Sequence, residues 1–259
     1  CAALAQVPPA AYVNFEGAQT NPIRLSADGK FLYAVNTPDA RLSVFDVRSP
    51  LAPKLIAEIP VGIEPVSVNP RTDDEVWVVN QESDSISVVS VSQGIVTDTI
   101  PAPDEPADVV FQGSNAFVSI SRSNAINVYD TGTHQLVKSI PVFGGSPRAL
   151  ALSANGKTLY AVFAISGNGT TIIPDQIAPP QVFPPGATAP SPAPQVGLIA
   201  AATDPKWAFY VRFKMPDNDV VAIDTASLSV GGYISHVGTI NLGIAVRPVT
   251  GELYVANTD

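Results

Sequence analysis

The sequence predicts an all-β fold built from one repeated unit, and three observations predict it. Alternating strands recur in pairs, because a strand ending at Asn36 is followed ten residues later by one ending at Asp46, and Asn80 is followed by Ser90 at the same offset. Prolines open successive units at intervals of 41 residues, at Pro65, Pro106 and Pro147. Glycine and proline punctuate the apolar runs, as a chain of many short strands requires. A period of this length with several strands per unit is typical of β-propeller blades.

The first unit contains every predicted element. Its four strands are expected over residues 23–25, 31–35, 42–46 and 54–61. Later units repeat the second and third strands at residues 116–120 with 126–130, and at residues 159–163 with 220–224. Residues 244–246 and 253–256 predict only the first two strands of a fifth unit, and residues 12–16 resemble a fourth strand. The sequence therefore predicts about four complete four-stranded antiparallel blades plus partial terminal ones, as a fragment of a larger ring, since an open arc would expose strand edges.

The fourth unit carries an insertion. Because 61 residues separate Phe163 from Asp224 where ten are expected, an extra element occupies about residues 164–216. Its first part, residues 174–194, is rich in proline and predicts an extended loop. Its second part predicts a hairpin with strands over residues 196–202 and 207–213. The second strand would present an apolar docking face of Trp207, Phe209, Val211 and Phe213. We expect the insertion to act as a lid or docking element, the alternative being a proline-rich spacer.

Composition limits the classes of partner. The 259 residues are 46% apolar, which supports a buried core, so residues 10–259 are expected to form the propeller. Lys and Arg total 14 against 23 Asp and Glu, for a net charge of −9, which opposes binding to nucleic acids and anionic membranes. No apolar run approaches the roughly 20 residues of a spanning helix. We therefore expect no nucleic-acid partner and no transmembrane segment.

Residues 1–9 predict the tail of a secretion signal or an N-terminal linker. Ala3 and Ala5 fit the small-residue pattern of a signal-peptidase site. Two alternatives stay open: Cys1 is the acylated first residue of a bacterial lipoprotein, or the chain begins at an arbitrary point. As the single cysteine, Cys1 excludes an intramolecular disulfide and a cysteine-based metal site in this segment. The expected location is exported: periplasmic, cell-surface or extracellular.

Two recurring segments carry a resemblance to a known family. The strand ends YAVNT (residues 33–37) and YVANT (residues 254–258) are similar to each other, as are the turns LSADG (residues 25–29) and LSANG (residues 152–156), which precede second strands. They resemble the YVTN family of β-propeller repeats, found in secreted and surface proteins of bacteria and archaea. The resemblance implies a propeller that usually has seven blades. Relatives include binding scaffolds, lactonase-like members and propellers fused to haem c domains, so it implies little about function.

A second resemblance covers the insertion and its surroundings. The segments 166–170, 215–219 and 237–240 are similar to a subgroup of long secreted bacterial propeller proteins that continue into cytochrome-like C-terminal regions. No C-x-x-C-H haem attachment motif occurs in the chain. We therefore expect no cofactor in this segment, and a redox role would depend on a fused C-terminal domain.

The side chains suited to catalysis do not form a recognisable motif. His134 and His236 are expected at turns into fourth strands, at the blade periphery, where ligands for one metal ion would not converge. The oxygen ligands of residues 217–219 lack the glycine and distal glutamate of a calcium loop, and favour a β-turn. The Asn and Asp residues that end successive strands favour local backbone hydrogen bonds. We predict no catalytic residue and no metal site.

The remaining candidates lie at the mouth of the central channel. Loops entering each inner strand, and loops between second and third strands, meet on one face of a propeller, and binding usually uses that face. The candidate binding residues are Asn21, Glu64, Glu105, Asp108, Ser146 and Arg148. The leading hypothesis is a non-enzymatic exported binding or scaffold module of a larger cell-envelope protein, with a protein or small-molecule ligand. One alternative is a lactonase-like hydrolase that uses acidic residues at the mouth, and another is a propeller supporting a fused haem c domain.

Overall fold

The computed structural model describes residues 19–180, 182–188, 190–191, 197–211 and 215–258. The N-terminal segment 1–9 and the strand predicted over residues 12–16 lie outside these ranges.

Four antiparallel sheets of four strands follow one another along the chain. The first contains β1 (Ile23–Leu25), β2 (Phe31–Asn36), β3 (Arg41–Asp46) and β4 (Lys54–Pro60). The second contains β5 (Pro65–Pro70), β6 (Glu75–Asn80), β7 (Ser85–Ser90) and β8 (Ile95–Pro101). The third contains β9 (Pro106–Gln112), β10 (Asn115–Ile120), β11 (Ala125–Asp130) and β12 (Leu136–Pro141).

The fourth sheet is interrupted by the insertion. It contains β13 (Gly145–Leu152) and β14 (Thr158–Ile165), then β17 (Val220–Asp224) and β18 (Ser229–Ile234). Between them, β15 (Thr170–Ile173) and β16 (Leu198–Ala201) form a separate two-stranded sheet. A further pair, β19 (Ile240–Val246) and β20 (Leu253–Thr258), follows the fourth sheet. The predicted all-β arrangement of four-stranded blades is confirmed, and the blade boundaries fall at or beside Pro65, Pro106 and Pro147.

The hydrophobic core lies between successive blades. One cluster joins the first and second blades through Tyr33 and Val76, and another joins the second and third through Trp77 and Val109. The second strand of the second blade, β6, is covered on both faces, so it is buried over almost its whole length and its sequence is a nearly continuous apolar run.

The acidic residues that end third strands cap the turns that follow, as predicted. The Asp130 carboxylate accepts the backbone N–H groups of Gly132 and Thr133, at 3.1 and 2.8 Å. The Asp224 carboxylate accepts the N–H group of Ser227 at 2.7 Å. Burial of Asn80, whose side chain donates to Ser87 Oγ at 3.0 Å, likewise supports a structural role.

Tyr33 provides a test of packing between the first two blades. Its hydroxyl is buried without a hydrogen-bond partner among the described residues, and burial, with nearby carboxylates, raises its pKa to about 12. We expect Tyr33→Phe to raise the free energy of unfolding by about 1 kcal/mol, because it removes an unsatisfied polar group and keeps the ring. Urea denaturation measures the change.

The matched control is Tyr129→Phe. The Tyr129 hydroxyl donates to the Pro101 carbonyl oxygen at 3.1 Å, so its loss should lower the free energy of unfolding by about 1 kcal/mol. Equal destabilisation by both variants would show that the Tyr33 hydroxyl has a partner in solution.

Candidate functional site

The two kinds of loop predicted to meet at the channel mouth lie at one edge of the sheets. Neighbouring strands run in opposite directions, so the connections into each first strand and those between second and third strands share that edge. We call it the top face. The insertion between β14 and β17 leaves from the same edge.

Asp108 links four blades beneath the top face. It lies on β9 and is fully buried. Its Oδ2 accepts the Asn21 side-chain amide at 2.6 Å and the Leu150 N–H group at 2.8 Å, and its Oδ1 accepts the Ser67 hydroxyl at 2.6 Å. Asn21 precedes β1, whereas Ser67 and Leu150 lie on β5 and β13. Burial raises the pKa of Asp108, although the hydrogen bonds from Ser67 and Leu150 oppose that shift. The Asp108 side chain therefore has a structural role, because its hydrogen bonds connect the four blades.

Arg148 lies above Asp108 as a buried cation. Only 7% of the residue is exposed, and its Nη2 donates to Gln81 Oε1 at 3.3 Å and to Thr20 Oγ1 at 3.4 Å. Burial lowers the pKa of Arg148, whereas the carboxylates of Glu105 and Glu64 raise it. The guanidinium is thus fixed by polar groups from several blades.

Glu64 and Glu105 differ in how far they are paired. Glu105 Oε1 lies 3.3 Å from Arg122 Nη1, and its other oxygen accepts Gln81 Nε2 at 3.4 Å. Burial raises the pKa of Glu64, and the carboxylates of Glu82 and Glu105 add to the rise. Burial and the neighbouring carboxylates therefore disfavour the charged form of Glu64.

A repeated backbone conformation makes the rim of the mouth rigid. Glu64, Glu105 and Ser146 each precede a proline and have φ values of 57°, 61° and 55°. Non-glycine residues rarely adopt this left-handed conformation, and the following proline restricts them further. The Glu64 carbonyl accepts Gln81 N–H and the Glu105 carbonyl accepts Ser121 N–H, each at 2.9 Å, which helps to hold the conformation in place. Such strain is frequent at functional sites.

The structure brings together five of the six predicted mouth residues. Asn21, Asp108, Arg148, Glu64 and Glu105 interact directly or through their charges. Ser146 is linked instead to Asn124, whose Oδ1 accepts its N–H group at 2.8 Å. Gln81 contacts both Arg148 and Glu105. It was not predicted as a mouth residue, because nothing in the sequence distinguishes it from an ordinary loop residue.

The insertion contains a hairpin, but only one of its strands is a predicted one. β16 lies within the strand predicted over residues 196–202, and it pairs with β15. The strand predicted over residues 207–213 is wrong for residues 207–211, and residues 212 and 213 lie outside the described ranges. Pro205–Trp207 form a 3-10 turn instead, since Asp204 caps it by accepting the Lys206 N–H group at 2.9 Å and Pro205 suits the first helical position.

The predicted docking face is therefore not one side of a strand. Trp207 is 7% exposed and lies under the ammonium group of Lys206, whose Nζ is 4.7 Å from the ring centroid. Phe209 is 84% exposed, and Val211 is partly buried. Phe213 lies outside the described residues.

The two ends of the insertion meet in a narrow neck. The Gly167 N–H group donates to the Pro216 carbonyl oxygen at 2.9 Å. A Cβ atom at Gly167 would lie 2.5 Å from the Met215 carbonyl oxygen, closer than side-chain carbons approach. Glycine is thus required where the chain leaves and rejoins the blade.

We expect Gly167→Ala to open this neck without unfolding the blades, because the clash is with backbone at the base of a surface loop. Trypsin cleavage after the exposed Lys206 should become faster, while the urea midpoint of the propeller should change little. The control is Gly232→Ala, where an added Cβ meets nothing within 4 Å. Equal cleavage rates for the two variants would contradict the proposed geometry of the neck.

Apolar side chains surround the base of the insertion. A cavity of about 530 Å³, the insertion-base cleft, lies between the hairpin and the top face and is lined by Ile172, Ile199 and Met215. Their exposed fractions are 72%, 69% and 50%. Met215 also lines a neighbouring cavity of about 250 Å³ with Phe143 and Ile165, which are 67% and 53% exposed. These five side chains form a contiguous apolar patch.

A second cavity of about 520 Å³, the acidic cleft, adjoins the insertion-base cleft. Its ionisable residues are Asp217, Asp219 and His236. The expectation that His236 lies at a turn into a fourth strand is wrong. β18 ends at Ile234, where it pairs with Val220, so His236 follows the fourth strand and lies at the top face. The other histidine, His134, does precede the fourth strand β12, and its Nδ1 contacts Asp98 Oδ2 at 2.5 Å.

Comparisons with known proteins agree with the fold. Residues 3–99 match the family model described as lactonase, 7-bladed β-propeller. This match covers less than half of the chain. No curated protein matches the chain significantly.

Three solved structures illustrate the similarity. Hydrazine synthase of Kuenenia stuttgartiensis has 22% identity and a TM-score of 0.56, with 94% of this chain and 75% of that chain covered. A functionally unknown protein from Desulfotomaculum acetoxidans has 10% identity, a TM-score of 0.64 and coverages of 92% and 62%. The WD40 β-propeller domain of Doa1 has 9% identity, a TM-score of 0.57 and coverages of 90% and 58%.

This chain thus spans less than two thirds of the last two structures. At these identities the likeness shows the fold alone. The protein is a β-propeller protein, and its four-stranded blades are consistent with part of a seven-bladed ring. In the described part of the chain, no helix has the length and apolar character needed to cross a membrane.

Proposed function

We propose that this chain is a non-enzymatic binding module that recognises a protein partner through its top face, at the base of the insertion. The observation that carries the proposal is the contiguous apolar patch. Its members are Phe143, Ile165, Ile172, Ile199 and Met215, each at least half exposed. Contiguous apolar surface of this kind, rimmed by polar groups, is typical of protein interaction sites.

The mouth of the channel supports binding rather than catalysis. Asp108 is fully buried and accepts hydrogen bonds from neighbouring strands, and Arg148 is held among carboxylates and amides. Both are thus engaged in joining blades. Among the predicted mouth residues, Glu64 and Glu105 remain as candidates for a catalytic acid or base.

A lactone hydrolase is the second candidate, favoured by the family match over residues 3–99, which includes Glu64. A raised pKa keeps the Glu64 carboxyl group protonated to a higher pH than an ordinary glutamate, which suits a general acid. Proton release from a panel of γ- and δ-lactones tests this function. Turnover that Glu64→Gln removes would favour the hydrolase, whereas the binding proposal expects no such turnover.

We also propose that the module is exported and forms part of a larger cell-envelope protein. The N-terminal residues and the similarity to YVTN repeats support this location, and the similarity to propellers that precede cytochrome-like regions supports a fused neighbour. Fractionation of the producing cells with antibody detection tests the location, and recovery in the cytoplasm would contradict it.

Binding is tested with a double variant of the apolar patch. The full chain captures its partner from an extract of the producing cells, and the captured protein is then purified and titrated. The double variant Ile172→Ser with Ile199→Ser should raise the dissociation constant at least about tenfold, because interface hot spots each contribute 1 kcal/mol or more to binding.

The matched control is Ile95→Ser. Ile95 is 50% exposed on the outer strand β8, away from the insertion. It should bind like the unmodified chain. If the double variant binds equally well, the apolar patch is not the recognition surface.

A further inference from the structure

The insertion-base cleft and the acidic cleft form one continuous trough. Asn168 and Thr239 line both cavities, so an occupant of one reaches the other without leaving the surface. One end of the trough is apolar, and the other end carries two carboxylates, with no Lys or Arg among the lining residues that the structure describes. The trough therefore has chemically distinct halves.

Asp219 is a buried carboxylate at the acidic end. The residue is fully buried, and its Oδ2 accepts the Val237 N–H group at 2.7 Å. Its Oδ1 meets Asn241 Nδ2 at 3.4 Å, which is a long contact. A carboxylate removed from water without a positive partner is costly, and a cation that enters the site relieves this cost.

Asn241 is the neutral side chain that contacts Asp219. Its side-chain nitrogen also donates to the carbonyl of Gly238, which lines the acidic cleft, at 3.3 Å. Its Oδ1 is buried without a hydrogen-bond partner in the described part of the chain. Because Asn241 is uncharged, its contact leaves the negative charge of Asp219 uncompensated.

Asp217 extends the negative charge toward the opening. Its side chain is 22% exposed and its Oδ2 lies 2.8 Å from Nδ1 of His236. The His236 side chain is 86% exposed, so water weakens its interaction with Asp217. The cleft remains attractive to a stronger cation.

We infer that the trough binds a segment of a protein partner in which an apolar side chain lies beside a lysine or arginine. The apolar side chain would occupy the insertion-base cleft against Ile172 and Ile199. The basic side chain would hydrogen-bond to Asp217, where a charge-assisted bond is strong, and the charge of the buried Asp219 beneath it would attract the same group. This inference rests on the proposed function and names the chemistry of its partner.

A protein segment fits better than a small amine. Phe143 and Ile165 are exposed just beyond the trough and belong to the same apolar patch. A small amine that fills the trough leaves these side chains in water. A protein covers them as well.

The inference is tested with synthetic peptides and the full chain. Each peptide has a Gly-Ser background with one Leu and one Lys, in both orders and with no, one or two residues between them. Matched peptides replace Lys by Gln or Glu, or Leu by Ser. At least one of the peptides that contain both Leu and Lys should bind. Each replacement in that peptide should raise its dissociation constant at least tenfold. Butylamine alone should not compete.

Variants of the chain identify the acidic end. Asp219→Asn should remove the preference for Lys over Gln, and it keeps an oxygen that can accept Val237 N–H. Asp217→Asn should reduce the preference and is the safer variant if Asp219→Asn does not fold. The control Asp98→Asn removes the carboxylate of the other histidine–aspartate pair and should leave binding unchanged.

Absence of peptide binding, equal binding of Lys and Gln peptides, or competition by butylamine would overturn the inference. The proposed function is contradicted by a different result: binding of the whole partner by the Ile172 and Ile199 double variant with unchanged affinity. A partner that needs the apolar patch but ignores Asp217 and Asp219 would leave the proposed function standing and refute the basic segment.

Discussion

Replacing Asp108 by Ala is expected to lower the free energy of unfolding by about 3–5 kcal/mol, the range for breaking a buried charged hydrogen-bond network. The substitution leaves the Asn21 amide, the Ser67 hydroxyl and the Leu150 N–H group without their acceptor, at the point where four blades meet. Urea denaturation of the full chain measures the loss. The control Asp98→Ala removes an exposed carboxylate and should cost less than about 1 kcal/mol.

The difference between the unmodified chain and Asp108→Ala should also depend on pH. Burial raises the pKa of Asp108 above its ordinary value of 3.8. A carboxyl group with a raised folded-state pKa contributes most stability below its unfolded pKa, and this contribution is lost as pH rises through the folded pKa. The stability gap should therefore narrow as pH rises above 3.8. A gap that widens with pH would contradict burial as the dominant influence.

Trp77→Ala is expected to lower the free energy of unfolding by about 3–5 kcal/mol, the range for truncating a buried aromatic side chain. Trp77 is fully buried between the second and third blades. Its ring packs edge-to-face with the ring of Phe111, and the two ring centroids are 5.2 Å apart. Its Nε1 donates to Glu75 Oε1 at 2.7 Å. Chemical denaturation followed by far-ultraviolet circular dichroism measures the loss.

The control for Trp77 is the other tryptophan of the chain. Trp207 is also buried, but it lies in the insertion. Trp207→Ala should therefore affect the unfolding of the blades less than Trp77→Ala. An equal or larger effect would show that the insertion unfolds as part of the propeller core.

The blades could be predicted because each carries its own copy of one local pattern. Alternation, turn residues and entry prolines placed β4 over residues 54–61, one residue beyond its observed end at Pro60. In the first three blades, strands that are neighbours in sequence pair directly. In the fourth blade, the repeated pattern identified β17 as the partner of β14 across the insertion. Repetition thus compensated for the weakness of any single strand signal.

The insertion was harder to predict because it occurs once and its strands pair over a distance. β15 and β16 are separated by a proline-rich stretch, and each has only four residues. The apolar alternation after Trp207 suggested a strand, but the cap by Asp204 and the position of Pro205 favoured a 3-10 turn. Local capping outweighed the alternating pattern.

Part of the candidate site could also be predicted from the sequence, and part could not. The mouth residues were found because their loops share one face in any propeller. The satisfaction of Asp108 by Ser67 and Leu150 depends on how neighbouring blades align, which no single segment reveals. The acidic cleft joins Asp217 with His236 from a separate connection, so each looked like an isolated turn residue.

Recognition of a protein partner by the top face is tested most directly by photo-crosslinking in the producing cells. A benzophenone amino acid replaces Thr203, which is exposed beside the insertion-base cleft, or Thr99, which is exposed on the outer strand β8. Our account predicts a discrete adduct with one partner protein from position 203 and none from position 99. An adduct from position 99 and none from position 203 would contradict it.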